Sequence, residues 1–346
     1  MQIELQRLDR RALRIAIGTA CSLAISFALA LPIPVIAPVF AVFLLATQNR
    51  PLSFKASLII ALVVALTSGT GLLLAPVLRY YPAAGVLLVG LALFLSFRYG
   101  LRGGNNLLAT FLAAGLTMIS AAGTADFQLA ATVVSALVKG LLLAVTMSAL
   151  THWLLPEPVN APPAPAARIV PGDQANRIAL RAALVVMPAW LLAMSDPGGY
   201  MPIIMKSVSL GRQSCGTTAR GAARELIGTT LLGGLLAIVF WFSLRFFVHL
   251  WMFFLWMLLF GLLIGRKIYR INPTRYSPGF WLNSFVTMII LLGQSVEDSA
   301  AGKDVYKAFA VRMGLFMAVA VYACLMLQIF ELRPRARGGS QSTGSA

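Results

Sequence analysis

Residues 225–244, ELIGTTLLGGLLAIVFWFSL, form an apolar stretch of the length that a helix needs to cross a lipid bilayer. Eleven further stretches of this character occur along the chain. The twelve predicted spans are 13–31, 34–48, 56–78, 82–97, 105–122, 128–154, 178–195, 200–211, 225–244, 246–264, 280–296 and 308–330. The chain is 59% hydrophobic and only 11% charged, whereas a soluble domain carries about 25% charged residues. We therefore predict an all-α polytopic membrane protein.

Lysine and arginine residues in the loops predict the orientation of the spans. With the N-terminus placed in the cytoplasm, most of the 28 basic residues fall in inner segments. The exceptions are Arg79, Lys139, Lys206, Arg245, Lys303, Lys307 and Arg312. Adding or removing one span would place later loops on the wrong side, so this bias favours twelve spans and two cytoplasmic termini.

A Pro-rich segment divides the spans into two sets of six. Short matches recur in the same order in both sets: Arg11-Ala-Leu-Arg14 with Arg177-Ile-Ala-Leu-Arg181, 66–71 with 228–233, and Thr117-Met-Ile119 with Thr287-Met-Ile289. Because each set has an even number of spans, the repeats would be parallel and form a pseudo-dimer. The predicted organisation is a first repeat at 1–155, a cytoplasmic linker at 156–176, a second repeat at 177–332 and a disordered tail at 333–346.

Several function classes find no support in the sequence. The net charge of +17 is spread over the inner loops, as orientation and anionic lipid require, so we predict no nucleic-acid partner. Three cysteines and two histidines show no metal-ligand spacing. No phosphate loop, nucleophile elbow or zinc-protease motif occurs. We therefore expect no enzyme activity, no cofactor and no metal.

Lys206 is the first candidate for an anion-binding residue. It lies within the short eighth span, whereas the matching stretch of the first repeat, 34–45, carries no charge. A charge inside the membrane is costly, which makes it a functional hypothesis by default. Lys206 would then face a polar cavity and attract an anion. In the alternative, it reaches the membrane surface or pairs with Asp196.

Further charged residues near the membrane complete the set of candidates. Lys139 and Arg312 occupy matching places in the last span of each repeat, where they would assist Lys206 or form structural pairs with outer acids such as Asp126, Glu297 or Asp298. The candidate proton carriers are Asp126, Asp196 and Glu225. Helix capping is the alternative role for Glu225. Embedded cations outnumber embedded acids, which favours an anionic cargo.

The opening Arg11-Ala-Leu-Arg14, the six spans per unit and Arg224-Glu-Leu-Ile-Gly228-Thr229 together resemble the fusaric acid resistance and aromatic acid exporter superfamily. The resemblance covers most of residues 8–332 and indicates a compact branch, because larger members carry a cytoplasmic domain after each set of spans. Glu225 departs from the pattern, since the family's arginine usually stands at that place. The resemblance implies export of weak organic acids across a bacterial inner membrane, beside a periplasmic adaptor and driven by the proton gradient.

These observations together predict an inner-membrane secondary transporter that exports amphipathic or aromatic organic anions along the seam between the repeats. The expected partners are the small anion, the lipid bilayer and an adaptor, with homo-oligomerisation left open. Two alternatives remain: an anion channel of the same architecture, and a membrane scaffold that transports nothing.

Overall fold

The computed structural model describes residues 2–48, 62, 69, 71–156, 169–216, 221 and 223–332, and the described part is helical without strands. A five-residue π-helical segment, Ala223–Ile227, leads directly into α9. The twelve helices are α1 Gln2–Ala28, α2 Ile36–Thr47, α3 Gly71–Tyr80, α4 Pro82–Leu101, α5 Asn106–Ala125, α6 Phe127–Leu154, α7 Gly172–Ala193, α8 Pro197–Gly216, α9 Gly228–Arg245, α10 Leu250–Ile268, α11 Pro278–Ala300 and α12 Val305–Leu332.

Nine of the described helices are long and apolar enough to cross a membrane. The other three are α2, which is short, α3, which is described only from Gly71 onward, and α8, whose polar residues lower its hydropathy. This architecture is consistent with the predicted polytopic membrane protein. The eighth predicted span, 200–211, is part of the longer helix α8. Most of the predicted third span before residue 71, the linker residues 157–168 and the tail 333–346 lie outside the described residues.

Local signals explain where several helices begin. Proline occupies the first position of α4 and α11, where the backbone N–H that proline lacks would have no helical partner. Before α11, the Ser277 hydroxyl accepts a hydrogen bond from the backbone N–H of Phe280 at 3.0 Å. This cap fixes the entry into α11, the helix that carries part of the site described below.

Several helices expose leucine side chains on one face. On α4, Leu87, Leu91 and Leu95 recur every four residues and are exposed, while Val89 and Leu93 on the opposite face are buried. Soluble monomers rarely expose contiguous apolar stripes of this kind. The stripe fits contact with lipid.

Helices of the first six pack against helices of the last six in reciprocal pairs. Helix α1 packs on α10, and α4 packs on α7; likewise α5 packs on α8, and α2 packs on α11. Tight contacts reinforce the first pair, since a Cβ added at Gly261 would lie 3.0 Å from the Cα of Ala16. Helices α8 and α11 therefore both contact the first six helices.

Candidate functional site

Lys206 lies midway along α8 and is buried, with 1% of its surface exposed. Its ammonium donates a hydrogen bond to the hydroxyl of Thr287, midway along α11, at 2.8 Å. The Thr287 hydroxyl in turn donates to the backbone carbonyl of Asn283 at 2.7 Å. The cation is therefore about 15 Å from either end of its helix, at a rise of 1.5 Å per residue, and it does not reach the surface.

A second polar link joins the same two helices. The Ser209 hydroxyl donates to the side-chain oxygen of Asn283 at 3.2 Å, and the Asn283 amide donates to the carbonyl of Gly279 at 2.8 Å. Helix α9 closes this region at Gly233, where an added Cβ would lie 2.6 Å from the Cβ of Thr287. Small and hydroxyl side chains thus bring three helices close around the lysine.

The ammonium of Lys206 is under-satisfied. It has three N–H donors, but in the described part of the chain Thr287 supplies its one hydrogen bond and no carboxylate lies in ion-pairing range. Asp196, the alternative partner, is exposed and accepts from the backbone N–H of Gly199 at 3.2 Å. An anion that reached Lys206 would meet N–H donors that make no other hydrogen bond within the described residues.

Lys139 and Arg312 do not share this environment. Lys139 is exposed on α6. Arg312 is mostly buried and forms an ion pair with Asp298, the structural alternative that the sequence had left open. Arg312 also borders a shallow groove of about 260 Å³ between the start of α8 and the first turns of α12. The three predicted cations therefore occupy three separate places.

The predicted proton carriers lie at helix ends. Asp126 and Asp196 are exposed just before α6 and α8. Glu225 lies in the π-helical segment, and its carboxylate accepts a hydrogen bond from the Ser277 hydroxyl at 2.8 Å. None of these carboxylates is paired with Lys206 within the described residues.

Asn283 and Ser209 were not among the residues predicted from the sequence. A usable signal is present, because Asn283 and Thr287 are one turn apart in α11, and Ser209 follows Lys206 by three residues in α8. Polar residues at such spacings share one helix face. Which two faces meet depends on tertiary packing.

Fold and site together define a class: a helical multi-pass membrane protein with an enclosed lysine between α8 and α11. Residues 11–151 match the model of a family described as "Protein of unknown function (DUF2955)". The match covers less than half of the chain and falls within α1–α6. No curated protein and no solved structure matches the chain. The resemblance to the aromatic acid exporters is not shown by these comparisons.

Proposed function

We propose that this protein is a secondary transporter of the bacterial inner membrane that exports amphipathic or aromatic organic anions, with Lys206 as the anion-binding residue. The observation that carries the proposal is the enclosure of the Lys206 ammonium with a single hydroxyl partner. Burying a charge without a counter-charge carries a desolvation penalty on the order of several kcal/mol. A carboxylate bound at Lys206 would offset that cost.

The helix pairing supports a two-repeat arrangement. The first helix of each half packs on the fourth helix of the other half, and the second helix of each half packs on the fifth helix of the other. Contacts within each half also correspond, since Gly71 of α3 lies against Ile119 of α5 and Gly233 of α9 lies against Thr287 of α11. We therefore propose two parallel six-helix repeats with both termini in the cytoplasm.

The position of Lys206 fits a transport path along the seam between these repeats. Helices α8 and α11 hold the site, and each also packs on a helix of the first half. A small change in the angle between the halves would therefore alter access to the lysine. Transporters commonly place substrates at such a repeat interface.

Enclosure favours a carrier over an open channel. A permanently open pore would keep its cations hydrated, whereas Lys206 is almost wholly removed from solvent. Coupling to protons would require a carboxylate that moves between protonation states, and Asp126, Asp196 and Glu225 are the proposed carriers. A periplasmic adaptor and homo-oligomerisation belong to the same proposal.

The test is transport of a fluorescent aromatic carboxylate, 2-naphthoate, in vesicles that contain the purified protein. We expect Lys206→Met to abolish uptake driven by a pH gradient while protein yield and thermal stability are kept. Lys303→Met is the matched control, because Lys303 is exposed in the loop before α12. Thr287→Val should weaken transport, whereas Thr117→Val, at the matching place of the first half, should not.

Each alternative gives a different result in the same vesicles. Gradient-driven accumulation supports the exporter. Current through wild-type protein without coupling to protons would indicate the channel, and absence of any 2-naphthoate movement would favour the scaffold. Normal transport by Lys206→Met would remove the lysine from the mechanism.

A further inference from the structure

A groove of about 670 Å³ lies between α9 with its π-helical segment and the first turns of α11. One side is an aromatic wall formed by Tyr276, Phe280 and Trp281. The other side belongs to the π-helical segment and α9. Neither side includes Lys206, so the groove is a separate feature of the molecule.

The aromatic wall is held in place by its own contacts. The rings of Tyr276 and Phe280 stack with centroids 4.3 Å apart, and the Trp281 ring stands edge-on to Phe280 at 5.8 Å. The indole N–H of Trp281 donates to the Thr274 hydroxyl at 3.0 Å. A ligand with a flat ring would therefore meet a preorganised surface, which reduces the entropy lost on binding.

The opposite side of the groove changes from charged to apolar along one helix face. Arg224, Gly228, Leu231 and Leu235 recur at intervals of three or four residues, so they share a face. Leu231 and Leu235 are 52% and 57% exposed. The face is about 16 Å long at 1.5 Å per residue, with the cation at one end.

The cation in this groove is available. The Arg224 guanidinium lies 5.3 Å from the centroid of the Tyr276 ring, and no described carboxylate pairs with it. The neighbouring carboxylate, Glu225, is bound by Ser277. Lys267 does not line the groove, but its ammonium lies 6.0 Å from the Trp281 ring centroid and donates to the carbonyl of Pro273 at 3.2 Å.

We infer that this groove binds an amphipathic aromatic monoanion, with the anionic group on Arg224 and the ring between the aromatic wall and Leu231. The inference rests on the proposed function, because it makes the groove the loading site for the same cargo. Phe280 and Thr287 are seven residues apart on α11, about 10 Å along the helix. A ligand leaving the groove would thus be within two turns of Lys206.

The test is equilibrium binding of 2-naphthoate to the purified protein in nanodiscs of neutral phosphatidylcholine. We expect Arg224→Gln and Trp281→Ala each to weaken binding about tenfold or more, equivalent to about 1.4 kcal/mol or more. The matched control is Arg275→Gln, an exposed arginine just before Tyr276 that does not line the groove. The neutral analogue 2-naphthalenemethanol should bind to the wild type more weakly than 2-naphthoate does. To Arg224→Gln, the two compounds should bind with equal affinity.

Binding in the Lys206→Met background separates the two proposals. If Lys206→Met binds 2-naphthoate with an Arg224-dependent affinity but does not transport it, both proposals stand. If Lys206→Met transports normally, the proposed role of Lys206 is wrong. The groove is then still tested by whether Arg224→Gln weakens the binding of 2-naphthoate. Binding unaffected by Arg224→Gln would overturn the groove inference. So would displacement of 2-naphthoate by low amounts of phosphatidylglycerol, since the groove would then belong to an anionic lipid.

Discussion

Three basic residues that look alike in the sequence have three different environments. Lys206 is enclosed with a hydroxyl partner, Arg312 is paired with a carboxylate, and Lys139 is exposed. A buried ion pair and a buried lone cation differ in what they require: the pair is complete, whereas the lone cation needs a partner from outside. At this scale Lys206 is the proposed functional residue, whereas the ion pair of Arg312 is consistent with a structural role.

The pair between Arg312 and Asp298 gives a stability prediction. The two side chains are 14% and 5% exposed, so Asp298→Asn would remove the carboxylate that forms the ion pair with a mostly buried guanidinium. We expect a loss of about 3–5 kcal/mol in the free energy of unfolding, measured by unfolding of the purified protein in mixed micelles.

Lys307→Gln is the control for this prediction. Lys307 and Asp304 form an ion pair in which the side chains are 87% and 51% exposed, and such pairs contribute about 0–1 kcal/mol. Equal losses in the two variants would show that the Arg312 pair has no special structural role.

Helix α9 illustrates how a whole element is positioned by small residues. Gly233 faces α11, where its missing side chain allows Thr287 and the Ser284 carbonyl to approach. In membranes, close helix packing of this kind replaces much of the hydrophobic driving force available in water. The distance between α9 and α11 therefore also determines where Thr287 stands relative to Lys206.

Gly233→Ala tests this packing. The added Cβ would lie 2.8 Å from the backbone oxygen of Ser284, which cannot move without shifting the helix, so we expect a destabilisation of about 1–3 kcal/mol. Transport should fall as well, because Thr287 would be displaced. The control is Gly314→Ala on α12, which meets nothing within 4 Å and should keep or slightly raise stability. A tolerated Gly233→Ala with normal transport would contradict the tight contact.

Long apolar runs in the sequence were sufficient to predict most helices, but they predicted few contacts between helices. Long apolar runs predict spanning helices because the bilayer leaves the backbone no other partner, and the helices of α4–α6 and α9–α12 follow those runs. The predicted span 200–211 is shorter than helix α8, because glycine, serine and charged residues interrupt the apolar pattern at both ends of the helix. Lys206 was singled out by its charge, while its link to Thr287 and the aromatic wall at Tyr276–Trp281 depend on tertiary packing that no local pattern encodes.

In the described part of the molecule, eight helices form reciprocal pairs between the first six and the last six, and the positive residues of the inner loops are the basis of the proposed topology. In the proposed topology of twelve spans, the loop between α10 and α11 would be cytoplasmic and the loop between α11 and α12 would be periplasmic. An arrangement in which one of α2, α3 and α8 failed to span would move both loops to the other side of the membrane.

Cysteine labelling tests this arrangement. In a variant with Cys21, Cys215 and Cys324 replaced by alanine, we expect Ala301→Cys to react with a membrane-impermeant maleimide in intact cells. Arg275→Cys should react only after permeabilisation, because its loop is predicted to face the cytoplasm. The reverse pattern, or labelling of both sites from outside, would refute the proposed topology.

In the proposed two-repeat arrangement, helix α2 corresponds to α8, and its residues from Ile36 to Leu45 are apolar and buried. The seam would thus have one wall, on α8, that attracts negative charge and another, on α2, that is entirely apolar. An amphipathic anion could then bind in only one orientation, with its charged group toward α8 and its apolar part toward α2. A transport path with these two walls would reject dianions with charges at both ends, even when their size matches.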